Sequence, residues 1–96
     1  MTLRHENEKD RKLKRNADLI VASVDDELVM LSVEKGQYFG VAGVGPRIWE
    51  LLESVDTEND IVVSILREYE VDETTCRRDV RDFLDRMIEM GLVVLE

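Results

Sequence analysis

Residue types on which much protein chemistry depends are scarce in this chain of 96 residues. One cysteine, Cys76, allows no internal disulfide, and Cys76 with the single histidine, His5, cannot complete a zinc site. Gly40, Gly43 and Gly45 lack the Gly-Lys-Ser/Thr that completes a phosphate-binding loop. The many carboxylates lie scattered among arginines, as on a solvated helix surface. We therefore predict no catalytic residue, metal or cofactor, and interpret Cys76 as a small residue near an apolar helix face.

Long apolar segments are also missing. No apolar run reaches the roughly 18 residues that a membrane-spanning helix needs, and residues 1–15 contain no apolar stretch of the kind found in secretory signals. Together with the single cysteine, these absences lead us to expect a cytoplasmic protein with no membrane partner. The length is sufficient for one domain.

Positive charge is scarce outside the N-terminal residues. Residues 1–15 contain six Lys/Arg and three acidic residues, a net charge of +3, whereas residues 16–96 carry −12, which together make −9. An acidic body repels phosphate backbones, which argues against a nucleic-acid partner. We interpret residues 1–15 as a largely disordered charged tail, with a nucleic-acid-binding arm as the alternative, and residues 16–96 as the folded domain.

The first part of this domain has the pattern of three short strands. Leu19 to Ser23 is apolar and β-branched, and residues 27–33 alternate with a period of two. Lys35-Gly36 is a hairpin signal before a third strand, Gln37 to Val41. Such a sheet has two edges whose unpaired N–H and C=O groups can pair with an extended peptide. The pattern does not indicate which edge is free.

The second part has the period of helices. The first helix is indicated by an apolar stripe, with Pro46 in its first turn; the stripe consists of Val44, Ile48, Leu51, Leu52 and Val55. Thr57 resembles the N-cap of a second helix. Asp72 is the expected N-cap of a third helix that runs to about Met90 and stops at Gly91. Residues 92–95 form a short apolar segment that can pack or pair.

The third helix has a wider apolar arc than the roughly 100° of a simple surface helix. One flank, with Leu84 and Ile88, can face the core. The other flank, with Phe83, Met87 and Met90, is then available for apolar anchors of a partner, since methionine adapts to irregular surfaces. The alternative is that the small domain uses the whole arc as core.

The segment 36–41 (GQYFGV), followed by 44–52 (VGPRIWELL), resembles the signature of the PqqD-like family, roughly G-x-Y-Y-x-L-N-x-V-G-x-x-I-W-x-L-L. Downstream, 79–84 and 90–93 resemble the third helix and the closing Gly-Leu-Val/Ile of that family. The resemblance covers about residues 17–95. Ala42 departs from it, because the family usually has an N-capping Asn there, and Pro46 replaces a small residue.

This resemblance implies an α+β, winged helix-turn-helix-like fold with a three-stranded antiparallel sheet followed by three helices. Members of the family are peptide chaperones, or RiPP recognition elements. A precursor's leader peptide adds to the third strand as a fourth, antiparallel strand against the third helix. A short, stand-alone, acidic chain is most similar to the leader-binding proteins of lasso peptide biosynthesis. Their partners are a transglutaminase-like, leader-cleaving cysteine protease and a cyclase, and the leader carries a Tyr-x-x-Pro pattern.

We therefore expect a protein that is not an enzyme and that presents a leader peptide to these partners. The predicted leader-binding residues are Gln37, Tyr38, Phe39, Gly40, Val41, Ala42, Cys76, Arg77, Val80, Arg81, Phe83, Leu84 and Met87. The strand residues would pair through the backbone, the apolar residues would hold anchors, and the arginines would pair with acidic leader residues. The alternatives are a winged-helix DNA-binding protein, against which the balanced charge of the third helix argues, and a structural subunit that stabilises a partner enzyme.

Overall fold

The computed structural model of the chain describes residues 10–96. Its elements are β1 (Leu13–Arg15), β2 (Leu19–Val24), β3 (Glu27–Ser32), β4 (Gln37–Val41), α1 (Gly45–Leu51), α2 (Glu58–Glu68), α3 (Glu73–Glu89) and β5 (Val93–Leu95). The order β2-β3-β4 makes one antiparallel sheet, and β1 pairs with β5 in a second. The predicted succession of three strands and three helices is therefore confirmed.

The alternation of β3 places one of its faces against the core. Met30 is fully buried and Ser32 is nearly so, whereas Leu31 lies on the opposite face, because successive side chains of a strand alternate. The β3–β4 turn closes with a hydrogen bond from the Gly36 amide to the Ser32 carbonyl oxygen (2.8 Å). Gly36 has a φ of 63° there, which glycine adopts without steric cost.

The predicted capping residues of α2 and the predicted capping and stop residues of α3 occupy the expected positions. The Thr57 hydroxyl accepts a hydrogen bond from the Asp60 amide (3.1 Å), and the Asp72 carboxylate accepts one from the Thr75 amide (2.9 Å). Each side chain thus satisfies an N–H that has no partner inside its helix. Gly91 follows α3 with a φ of 78°, as a C-terminal stop signal requires.

The start of α1 differs from that of the other two helices. Val44 occupies its N-cap position without a side-chain hydrogen bond. Pro46 lies in the first turn, where its missing N–H costs no hydrogen bond. Ala42, which stands where the family usually has an N-capping Asn, lies two residues before this N-cap, so the capping position is Val44 and not residue 42.

The expectation of a disordered tail over residues 1–15 is wrong for its last part, and residues 1–9 lie outside the described residues. Leu13 is fully buried, and its strand β1 pairs antiparallel with β5 in the register Leu13↔Leu95. The Leu13 amide also donates to the Asp56 carbonyl oxygen (2.8 Å). Three residues are too few to show periodicity, so the partner strand that stabilises β1 is visible only in the fold. The prediction that residues 92–95 pack or pair is confirmed.

The core lies between the three helices, the inner sheet face and the β1–β5 pair. Its fully buried members include Ile48 of α1, Ile61 of α2 and Leu84 of α3. Trp49 is also buried and carries the Arg15 guanidinium over its ring at 4.8 Å. In the described part of the chain, no helix combines the length and apolar character needed to span a bilayer.

Candidate functional site

A groove runs between the outer edge of the three-stranded sheet and α3. We call it the β4–α3 groove; it has a volume of about 500 Å³ and is lined by Tyr38, Phe39, Gly40, Val41, Ala42, Phe83, Arg86, Met87 and Met90. Within residues 10–96, β4 pairs with β3 alone, so its other side presents unpaired backbone groups. A free strand edge beside an apolar wall is the arrangement that binds an extended peptide by strand addition.

Contacts at its two ends fix the direction of the groove. At the start of β4, the Lys35 ammonium donates to the carbonyl oxygen of Met90, just after α3 (3.1 Å). Toward the end of β4, Val41 and the ring of Phe83 both approach Gly45 closely. The beginning of β4 thus lies beside the end of α3, and the two elements run antiparallel.

Seven of the predicted site residues line this groove together: Tyr38, Phe39, Gly40, Val41, Ala42, Phe83 and Met87. Phe83 and Met90 are half-buried, whereas Met87 is 1% exposed and forms the floor. Gln37 is the first, exposed residue of β4 and lies outside the lining. The flank of α3 that sequence reasoning left available, with Phe83, Met87 and Met90, is the flank that the groove exposes.

The remaining predicted residues of α3 lie elsewhere. Cys76, Val80 and Leu84 are packed in the core with at most 3% of their surface exposed, so a groove ligand cannot touch them in this arrangement. Burial raises the pKa of the Cys76 thiol, which keeps the sulfur protonated and unreactive at neutral pH. Val80 and Leu84 lie at the centre and on the core side of the apolar arc, whereas Cys76 shares the angle of Phe83 and Met87 and is nevertheless packed in the core.

The two predicted arginines face α2 and not the groove. Arg77 Nε contacts Glu73 Oε2 (2.9 Å), and its Nη1 donates to Asn59 Oδ1 (3.1 Å). Arg81 Nε pairs with Glu58 Oε2 (2.9 Å), where Glu58 also accepts from Arg11. The cation that does line the groove is Arg86, which sequence reasoning missed. The sequence did contain a signal for Arg86: it lies three residues after Phe83 and four before Met90, a spacing that places all three on one stripe of a helix.

The opposite edge of the sheet borders a second cavity of about 780 Å³. Its lining is rich in charged side chains, namely Arg15, Asp25, Asp26, Glu27, Arg47 and Glu50. Arg47 is engaged at its rim by Glu50 and Glu68 (2.7 and 2.6 Å). This cavity is larger than the β4–α3 groove, but six charged residues line it, whereas Arg86 is the single charged residue in the lining of the groove. The β4 edge is therefore the better receptor for a strand with apolar anchors.

The sheet also exposes an apolar face on the side away from the core. We call it the outer sheet face; the register aligns Ile20 with Leu31 and Leu31 with Tyr38 across three strands. Ile20 is 57% and Tyr38 is 74% exposed. Since exposed apolar patches mark interaction surfaces in soluble proteins, this face is a second candidate for contact with a partner.

The described residues contain no group of three or more His, Cys, Asp or Glu side chains able to hold a metal ion. Cys76 is the free cysteine of the chain, and it is buried.

Comparison with known proteins identifies relatives of this fold. The family model described as "Coenzyme PQQ synthesis protein D (PqqD)" matches residues 27–93. A solved structure described as "TbiB1 in Complex with the TbiA(beta) Leader Peptide" is 43% identical with a TM-score of 0.77, covering 86% of this chain and 94% of that one. A second, "Lasso peptide synthetase B1 complexed with the leader peptide", has a TM-score of 0.77 at 23% identity, covers 86% of this chain and 98% of that one, and supports the fold. No curated protein sequence matches.

Proposed function

The chain belongs to the PqqD family, and from this premise we propose that it binds the leader segment of a ribosomally made precursor, of the lasso peptide kind, and presents it to processing enzymes. The observation that carries this function is the free β4 edge beside the apolar flank of α3. The 43% identical relative is a complex with a leader peptide, which supports the same class of ligand here. The protein acts as a recognition element, and the chemistry belongs to its partners.

Binding would proceed by addition of a strand to β4. A leader that is disordered when free loses conformational entropy as it orders. Backbone hydrogen bonds along β4 offset part of that loss and set the direction of the peptide. Apolar anchors of the leader would pack against Phe83, Met87 and Met90, and these contacts would supply selectivity. Because only the leader is held, the rest of the precursor remains accessible to an enzyme.

Presentation needs a surface for the enzyme, and the outer sheet face is suited to it. A leader strand added to β4 would extend the same sheet, so an enzyme on this face would contact the leader's outward side chains as well. Acidic residues without ion pairs to other described residues surround the face: Asp18, Asp25, Asp26, Glu27 and Glu34. This rim disfavours face-to-face packing of two copies and favours a partner with a basic rim. The candidates are a transglutaminase-like leader protease and a cyclase.

Fluorescence anisotropy of a labelled leader peptide, titrated with this protein alone, tests the function. The probes are the TbiA(beta) leader peptide and the leader of a precursor encoded beside this chain. Saturable binding at micromolar concentration or below, with none by a core peptide or a DNA duplex, is the expected result. Absence of binding by every leader would refute recognition by the isolated protein.

A Phe83→Asp variant locates the site. A carboxylate at the half-buried position 83 removes an apolar contact surface and adds a desolvation cost. We expect the leader affinity to fall by at least about tenfold, which is about 1.4 kcal/mol. Tyr69→Asp is the matched control, because Tyr69 is a partly exposed aromatic residue, 46% exposed, outside the groove. Equal losses in both variants, with both folded by circular dichroism, would place the leader elsewhere.

A further inference from the structure

The α3 side of the β4–α3 groove continues into a stripe of opposite charges: Arg86 lines the groove, and Asp79 lies seven residues before it, beyond the lining. Along α3, Asp79, Phe83, Arg86 and Met90 follow one another at spacings of four, three and four residues, which places them on one stripe of the helix. The stripe is acidic toward the N-terminal end of α3, apolar in the middle and basic toward the C-terminal end. An extended ligand that fills the groove and continues along α3 past Phe83 would therefore meet a different charge at each of its ends.

The basic end is prepared for a carboxylate. The Lys35 ammonium donates to the Met90 carbonyl (3.1 Å) and offsets the partial negative charge of the carbonyl groups that end a helix. Arg86 is exposed, lines the groove and makes no ion pair with another described residue. Asp85, its acidic neighbour, is engaged by Arg11 (2.8 Å). On its other side Arg86 borders a surface depression with Asp79, Asp82 and Asp85, but it pairs with none of them, so its guanidinium donors are available to a ligand.

Strand direction connects this polarity to the ligand sequence. Because β4 and α3 run antiparallel, a strand that adds antiparallel to β4 runs parallel to α3. Its N-terminal part then passes Asp79, its middle passes Phe83, and its C-terminal part passes Arg86. A peptide with the reverse charge order, or one bound in the reverse direction, would place like charges together.

Resting on the proposed leader binding, we infer that the groove selects leader segments that carry a carboxylate C-terminal to the apolar anchor and a neutral or basic residue N-terminal to it. Arg86 is the specificity-determining residue for the carboxylate, and Asp79 disfavours an acidic residue before the anchor. The charges also oppose binding in the reversed direction. Each pair lies at the solvent-exposed rim, so each discriminates by about two- to fivefold at low salt.

A positional charge scan tests this selection. Labelled TbiA(beta) leader peptides carrying one Glu or one Lys at each position in turn are titrated with the wild type, Arg86→Glu, Asp79→Lys and the control Arg67→Glu. In the wild type, Glu should bind about two- to fivefold more tightly than Lys after the anchor, and Lys more tightly than Glu before it. Arg86→Glu should reverse the preference after the anchor only, and Asp79→Lys the preference before it only.

The controls separate this inference from the function on which it rests. Arg67 lies on α2 outside the groove and is exposed, so Arg67→Glu makes the same change of net charge as Arg86→Glu and should leave both positional preferences intact. A flat scan in a wild type that binds the leader would overturn the charge selection and leave leader recognition standing. If no leader peptide binds the wild type, the proposed function itself is wrong. The preferences should also vanish in about 0.5 M salt, where the screening length falls to a few ångströms.

Discussion

Gly45 connects the beginning of α1 to the groove wall through its lack of a side chain. A Cβ there would lie 2.9 Å from a ring carbon of Phe83 and closer still to a methyl group of Val41. Real Cβ atoms do not approach carbon atoms so closely, so any larger residue would displace one of these side chains. Both neighbours line the β4–α3 groove. The absence of a side chain at Gly45 thus allows the start of α1 to pack closely against Val41 and Phe83 of the groove wall.

Gly45→Ala should destabilise the protein by about 1–3 kcal/mol, the usual cost of overpacking a core. We also expect weaker leader binding, because the displaced Phe83 ring enters the groove. Urea unfolding measures the first effect and peptide anisotropy the second. Gly40→Ala is the matched control for stability, since a Cβ at Gly40 meets no atom within 4 Å. An unchanged urea midpoint for Gly45→Ala would show that the two side chains move without cost.

At the scale of elements, α3 depends on its first turn, and there its stability responds to pH. The Asp72 carboxylate accepts hydrogen bonds from the amide and the hydroxyl of Thr75, both at 2.9 Å. The hydrogen bond from the Thr75 backbone amide is the main cause that holds the pKa of Asp72 below its ordinary value of 3.8. The charged form is therefore the one that stabilises the fold. This contribution is complete above the ordinary pKa and is lost as the pH falls through the lowered value.

Asp72→Asn separates the stabilising effect of the charge from that of the capping hydrogen bond, because asparagine also caps helices well. At pH 6, the wild type should have the higher urea midpoint, since a charged cap also interacts favourably with the helix N-terminus. Its advantage should disappear as the pH falls below 3.8 and through the lowered pKa of Asp72, where the carboxylate is protonated. The comparison is a series of urea titrations across that pH range. Asp82→Asn, on the same helix, is the control, and a parallel response of both variants would contradict the role of the cap.

The strand β1 couples the N-terminal segment to the end of the chain. Leu13 is fully buried between Leu95, its register partner, and the chain around Asp56, whose carbonyl oxygen accepts from the Leu13 amide (2.8 Å). Nearby, Arg11 Nε pairs with the buried carboxylate of Glu58 (2.8 Å). These contacts fasten β1 to the start of α2. Residues 10–18, which precede the three-stranded sheet in the described part of the chain, are therefore part of the folded domain.

Leu13→Ala should lower the free energy of unfolding by about 2–5 kcal/mol, the range for a buried leucine that leaves a cavity. The neighbouring Lys14 has a side chain that is 62% exposed, so Lys14→Ala should change it by no more than about 0.5 kcal/mol. Denaturant titration of both variants measures the difference. Equal and small effects would mean that β1 contributes nothing to stability.

At the scale of the whole molecule, the proposed function assigns leader binding to the β4–α3 groove and contact with an enzyme to the outer sheet face. The net charge is −9, which opposes nucleic-acid binding at moderate salt. The β4–α3 groove and the outer sheet face meet at Tyr38, which belongs to both. A ligand strand on β4 and an enzyme on the outer sheet face would therefore be in contact. Such an arrangement would raise the concentration of the leader at the enzyme without requiring a change of shape.

Ile20→Glu tests the separation of the two faces. Ile20 is 57% exposed on the outer sheet face, so a charge there should leave the fold and the leader affinity within about twofold of the wild type. It should slow leader removal by a protease encoded beside this chain by about tenfold or more, because a charge is buried at the interface. Mass spectrometry of the cleaved precursor measures the rate. Val71→Glu, at a partly exposed position between α2 and α3, is the control. Equal cleavage rates for the two variants would show that the enzyme does not dock on the outer sheet face.

Interactions between residues that are close in the chain made several elements of this protein predictable from its sequence. The alternation of β3, the caps Thr57 and Asp72 and the stop at Gly91 depend on neighbours a few residues away, so their elements could be predicted. The family resemblance added the groove between the third strand of the sheet and α3. These predictions required no knowledge of distant contacts.

Only the tertiary structure decided which surfaces face each other. The pairing of β1 with β5 joins residues about 80 positions apart, and no local pattern encodes such a contact. The width of the apolar arc of α3 indicated a surplus flank, but it did not show that Val80 is buried while Phe83 borders the groove. Likewise, arginine spacing could not reveal that Arg81 pairs with Glu58 of α2 and that Arg86 is the cation at the groove. A helix fixes the angles between its side chains, whereas the packing of the other elements decides what lies at each angle.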